Sequence, residues 1–186
     1  IPAGMITIIE GDPGLGKSWI SVSLAADVSR GRLLPGQERA LPPQNVLMLT
    51  QEDDLNVTVR PRLEQMGADL DRVYLSDQHF VLDEWGLREL EEKMMQSAAA
   101  IVFLDPMTKY LGGKIDMNKA NETDEVMGPL VHIAHRTGCS IVAVRHLRKA
   151  GGSNRKHAGI GSINFIGTAR STLQVGENKA GQRYMR

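Results

Sequence analysis

Gly11-Asp12-Pro13-Gly14-Leu15-Gly16-Lys17-Ser18 fits the pattern G-x-x-x-x-G-K-[ST], with the apolar run Met5–Glu10 (MITIIE) before it and a helical period after it. A strand, a glycine-rich turn and a helix in that order build a seat for phosphate. The glycines let the backbone curl until several N–H groups point at one anion, and the amino end of the helix adds partial positive charge. At this spacing Lys17 reaches the β- and γ-phosphates, and the Ser18 hydroxyl can ligate Mg²⁺. The expected binding set is therefore Gly11, Asp12, Pro13, Gly14, Leu15, Gly16, Lys17, Ser18 and the adjoining Trp19, with a nucleoside triphosphate and Mg²⁺ as cofactors.

Outward from the loop, Ile20, Leu24 and Val28 recur every four residues and predict one apolar face on the first helix. Gly31 closes that helix, and Pro35, Pro42 and Pro43 mark a loop. Val46–Thr50 (VLMLT) reads as a second buried strand. A helix then starts at Asn56, or only at Pro61, and stops after Met66 at Gly67. Val73–Leu75 is a short strand, and Glu84–Ser97 an amphipathic helix carrying Leu87, Leu90 and Met94 inward. Ile101–Leu104 (IVFL) is a further strand. Val126, Leu130, Ile133, Ala134 and Thr137 line one side of a helix that Pro129 should kink or restart, and Gly138 caps it. Ser140–Val144 (SIVAV) and Ser171–Val175 complete the strands, and a hairpin turn fits between Gly176 and Gly181. Continuous rather than alternating apolar strands, each followed by a helix, indicate an α/β fold: a mostly parallel central sheet covered on both faces. Ligands of such sheets bind beyond the carboxyl ends of the strands.

Three residues sit at such ends. Asp105, after Ile101–Leu104, suits the carboxylate that holds Mg²⁺; a turn or helix cap is the plainer role. Glu52, after Val46–Thr50, can orient and deprotonate an attacking water. Asp53 meets the same requirement, and Asp53 and Asp54 could instead cap the next helix. His146, after Ser140–Val144, can donate to a γ-phosphate or serve as a structural histidine. Arg170, before the last strand, is either an arginine finger supplied to a neighbour or a surface charge.

The chain has 186 residues, 41% of them apolar and 24% charged, which suits one globular domain and excludes disorder as its main state. Cys139 is the only cysteine, so no disulfide framework exists. The longest apolar stretch, Ala98–Leu104, is far short of the ~20 residues of a membrane helix. With no export signal at its start, the expectation is a cytoplasmic protein without a membrane partner. Residues 1–186 read as a single domain excised from a longer protein.

Lysine plus arginine and aspartate plus glutamate balance at 22 each, but unevenly. Between Val126 and Gly176 lie seven cations (Arg136, Arg145, Arg148, Lys149, Arg155, Lys156 and Arg170) and no acidic residue. That segment either faces phosphate or pairs with an acidic face of a neighbouring subunit. Lys109, Lys114, Arg148, Lys149, Arg155 and Lys156, from two loops, are the candidate nucleic-acid contacts. Tyr110 is the one aromatic there fit to stack on a base.

Together, Gly11–Ser18, Glu52, Asp105, the run Val144-Arg145-His146-Leu147-Arg148-Lys149-Ala150-Gly151-Gly152, Gly161-Ser162 and Gly167-Thr168-Ala169-Arg170-Ser171 resemble the RecA-like ATPases of the plasmid RepA-type hexameric helicase group, shared by many phage and plasmid AAA-family ATPases. The resemblance implies a RecA-type core, ATP hydrolysis with Mg²⁺ at the interfaces of a six-membered ring, and single-stranded DNA in the centre. It implies Lys17 and Ser18 on phosphate and metal, Glu52 as base, Asp105 as metal carboxylate, His146 as sensor and Arg170 as the finger from the next subunit. Lys149 matches a basic position. Relatives often carry arginine just before the glycine-serine segment, where this chain has Ala158-Gly159-Ile160; Arg155 or Lys156 could replace it. A recombination ATPase of the RadA or RecA kind is the alternative enzyme, and a nucleotide-gated assembly switch that ignores DNA the alternative of another class.

Overall fold

A computed structural model describes residues 1–113, 119–147 and 167–186. Its strands are β1 (Ile6–Gly11), β2 (Asn45–Thr50), β3 (Val73–Ser76), β4 (Ala99–Asp105), β5 (Ser140–His146), β6 (Ser171–Glu177) and β7 (Arg183–Met185). The helices are α1 (Lys17–Arg30), α2 (Arg60–Gln65), α3 (Glu84–Gln96) and α4 (Ala120–Thr137). One seven-stranded sheet has the order β3-β2-β4-β5-β1-β6-β7. Every pairing is parallel except β6 with β7, which form the expected terminal hairpin.

Pleating divides the inner strands β1, β2, β4 and β5 between two cores. Ile6, Ile8, Leu49, Val102, Leu104 and Ile141 pack with Leu90 and Met94 of α3 and Leu130 and Ile133 of α4. Ile9, Val46, Met48, Phe103, Val142 and Val144 pack on the other face with Val22, Ala25 and Ala26 of α1 and Leu63 of α2. Both faces are covered, which is why the strands read as unbroken apolar runs.

Two helices refine the expectation. The buried side of α1 is Ser21, Val22, Ala25, Ala26 and Ser29, while Ile20, Leu24 and Val28 are only partly buried beside it. Small residues let the helix axis approach the sheet, and the larger ones fill its margin. In α4, Pro129 lies inside an unbroken helix rather than restarting one. The second helical segment begins with a wide turn, Leu55–Val59, before α2; Asp54 caps it, its Oδ1 accepting from the N–H groups of Asn56 and Val57 at 2.8 Å each.

Candidate nucleotide site

Strand register gathers the site. Gly11 is level with His146 across β1 and β5, and Thr50 with Asp105 across β2 and β4. The carboxyl edge of the sheet therefore carries the loop Gly11–Ser18, the segment beginning at Gln51, Asp105 and His146 side by side.

The loop opens with a glycine for a reason beyond curling. A Cβ on Gly11 would lie 2.4 Å from the Val175 carbonyl oxygen, so β6 can pair with β1 here only against a bare backbone. Gly14 and Gly16 have φ of 80° and 91°, a left-handed geometry that glycine takes at least cost. Asp12, Pro13 and Gly14 are exposed, and Leu15, Gly16 and Ser18 half-buried. Lys17 is buried, its Nζ donating to the carbonyls of Gly11 (2.9 Å) and Asp12 (2.8 Å). Burial lowers the pKa of its ammonium, opposed by the carboxylates of Asp105, Asp12 and Glu52. The charge is thus folded onto loop carbonyls, which a phosphate oxygen can replace as partner.

Asp105 is 6% exposed, and its Oδ1 is buried without a hydrogen-bond partner. Burial raises its pKa to about 6, with Glu52 and Asp53 adding to the rise and Ser18 and His146 opposing it. An under-coordinated buried carboxylate beside a serine hydroxyl and a phosphate seat is the donor set that suits Mg²⁺, which takes one or two protein oxygens and completes its shell with phosphate and water. Ser18 and Asp105 are the residues able to hold it.

His146 Nε2 and Glu52 Oε2 are 3.2 Å apart. An ionised carboxylate can only accept, so Nε2 carries the hydrogen; Nδ1 is buried without a partner. The competing carboxylates are engaged elsewhere. Asp54 caps the turn described above, and Asp53 Oδ2 accepts from Arg62 Nη1 at 2.7 Å. Glu52 is left exposed beside His146, in the groove formed by Thr50, Gln51, Glu52, Asp53, Asp54, Asp77 and His79, about 380 Å³ in volume. Arg62 also lies over the Trp19 ring, 5.1 Å from its centroid, tying α1 to the Glu52 segment.

Other expected residues lie elsewhere. Arg170 is exposed, and its N–H donates to the Ile6 carbonyl (2.9 Å) at the amino edge of the sheet. Five strand positions separate Ile6 from Gly11, about 16 Å, so Arg170 does not join its own chain's phosphate loop. Tyr110 is fully buried against Phe80, with ring centroids 5.2 Å apart, and cannot act as a base-stacking platform. Lys109 is exposed on the adjacent turn. The candidate contacts Lys114, Arg148, Lys149, Arg155 and Lys156, with Ala158, lie outside the described residues.

The basic segment is also less free than its composition suggests. Arg136 forms a two-pronged pair with Glu91 at 2.7 and 2.8 Å. Arg145 is buried in an ion pair with Glu10, its cross-strand neighbour. A charged residue at the end of each of two apolar strands was the available signal for that pair. Nothing in the sequence pointed to Arg183, whose guanidinium lies over Gly16.

Residues 1–152 match the family model described as AAA domain. The chain belongs to the AAA domain family. This AAA domain is also similar to the DNA repair protein RadA of Halalkalibacterium halodurans, with 25% identity over 153 residues. Those residues are 81% of this chain and 30% of that relative, so the AAA domain here spans about a third of RadA's length. Sheet, loop and family agree on a RecA-like P-loop ATPase fold. Among the described residues, no helix of this AAA domain is long and apolar enough to cross a membrane.

Proposed function

We propose that this domain hydrolyses ATP as the motor of a phage or mobile-element replication protein of the RepA-type helicase group, working as a six-membered ring on single-stranded DNA. The observation that carries the hydrolytic reading is the grouping of a buried lysine, a buried carboxylate with one unpartnered oxygen and a glutamate–histidine pair on one sheet edge. ATP draws Lys17 from the Gly11 and Asp12 carbonyls onto the β- and γ-phosphates. Ser18 and Asp105 would hold Mg²⁺, which would supply positive charge against the phosphates. His146 turns from Glu52 to the γ-phosphate, and the freed Glu52 aims a water at phosphorus. The water oxygen bonds to the γ-phosphorus, the bond to the β,γ-bridging oxygen breaks, ADP leaves, and Glu52 takes the water's proton. Such catalysis is positioning and electrostatics.

Arg170 acts in trans, completing the site of the next subunit. Its exposure at the edge opposite its own loop supports that arrangement. The groove bearing Glu52, Asp53, Asp54 and Asp77 supplies a complementary acidic surface for an incoming cation. The test is steady-state ATPase activity with and without single-stranded DNA across ionic strengths. Turnover should rise with DNA, and DNA binding should weaken steeply with salt. If neither occurs, the domain is an assembly switch. The similarity to RadA favours one second reading, a DNA repair ATPase; particle mass and imaging separate a closed six-membered ring from an open filament.

A further inference from the structure

We propose that Arg183 is a nucleotide-binding residue that contacts the α-phosphate from the C-terminal hairpin of the same chain. The proposal deepens the nucleotide-binding reading and rests on it.

Placement comes from register. β6 runs alongside β1 from Ser171, level with Thr7, to Val175, level with Gly11, and then continues to Glu177. The hairpin therefore projects about 7 Å past the strand end from which the phosphate loop departs. On the antiparallel partner, Met185 is level with Val175 and Arg183 with Glu177. Val175 belongs to the core cluster that includes Val22, Ala25 and Ala26 of α1, so by pleat alternation Arg183 lies on the α1 face. A methyl group on Gly16 would in fact be 3.6 Å from Arg183 Nη1.

Little holds the guanidinium there. It is 58% exposed, and its ion pair with Glu177 is loose at 3.9 Å, a geometry that contributes little. Gly16 caps α1 without a side chain, and the first turn of α1 carries no acidic residue, so the surroundings favour an anion. Arginine offers planar paired donors that match phosphate oxygens.

Strand order selects which phosphate. Asp105, His146 and the Glu52 segment lie on β4, β5 and after β2, all on one side of β1, whereas β6 and β7 lie on the other. The γ-phosphate belongs with the hydrolytic groups. From the hairpin side, the part of the nucleotide within reach is the part that ATP and ADP share. The α-phosphate gains no charge as the β,γ bond breaks, so its binding is equal in ground and transition states and Arg183 acts on KM and leaves kcat alone.

The experiment measures Mg-ATP and Mg-ADP affinity by titration calorimetry, together with kcat and KM, for the full chain and for Arg183→Ala, Arg183→Lys and Glu177→Gln. Arg183→Ala should weaken both nucleotides by the same factor, about tenfold, with kcat within twofold of the parent. Arg183→Lys should fall between them. Glu177→Gln, which removes the ion pair but keeps the guanidinium, should bind ADP at least as tightly as the parent. Unchanged ADP affinity in Arg183→Ala overturns the proposal, as does a selective loss of ATP with a fall in kcat. Equal weakening in Arg183→Ala and Glu177→Gln also overturns it, because the hairpin's integrity would then be the cause. A parent chain that binds neither nucleotide sinks the nucleotide-binding reading itself, an outcome distinct from these.

Discussion

Asp105 carries two opposed demands. Burial without a partner for Oδ1 makes its charge costly in the nucleotide-free protein, and that same charge is what a divalent ion requires. Because the folded pKa, about 6, lies above the ordinary 3.8, the folded state binds its proton more tightly than the unfolded chain. The cost is absent below the unfolded value, grows as pH rises between the two, and is fully present above about 6. Asp105→Asn should therefore stabilise the nucleotide-free protein at pH 8 by up to about 3 kcal/mol, with the gain fading to nothing near pH 4, while hydrolysis is lost. Urea denaturation at several pH values reads the first effect and phosphate release the second. Lys17→Ala should abolish nucleotide affinity or turnover; near-normal hydrolysis would move the site elsewhere. Glu52 was legible as a carboxylate after an apolar strand, but its rivals were not separable from it in sequence. Only the folded positions assign Asp53 to Arg62 and Asp54 to a cap.

At the level of elements, β1 and its neighbours tolerate little change. Gly11→Ala would drive a Cβ into the Val175 carbonyl and should cost about 1–3 kcal/mol, read as a lowered denaturation midpoint. Arg145→Met strands the buried Glu10 carboxylate and should cost about 3–5 kcal/mol, whereas Glu10→Met with Arg145→Met should recover most of that loss. Recovery would assign the pair to packing and charge balance rather than to phosphate binding. Strands were legible because burial on two faces leaves continuous apolar runs such as Ile101–Leu104. Helix faces were less so. α1 presents Ala25 and Ala26 to the sheet, and periodicity weighted by side-chain size selects its flank instead. Arg183 carried no local signal, because its position follows from a register between strands that sequence spacing does not encode.

For the whole molecule, the decisive relation is between edges. Mixing Arg170→Ala subunits with Glu52→Gln subunits should restore part of the turnover that each lacks alone, since some mixed interfaces pair an intact base with an intact guanidinium. Phosphate release measured across mixing ratios should pass through a maximum at intermediate composition. A monotonic curve would confine each site to one chain.

The separation of Arg170 from Gly11 by the length of a strand also bears on symmetry. Under the proposed trans role of Arg170, copies that follow one another in a single sense, front to back, would bring one copy's Arg170 edge to the next copy's pocket. An open row then always ends in one copy whose pocket no neighbour serves, so activity per subunit should climb with row length. Closure abolishes the idle end, and in the proposed six-membered ring every pocket would be at work.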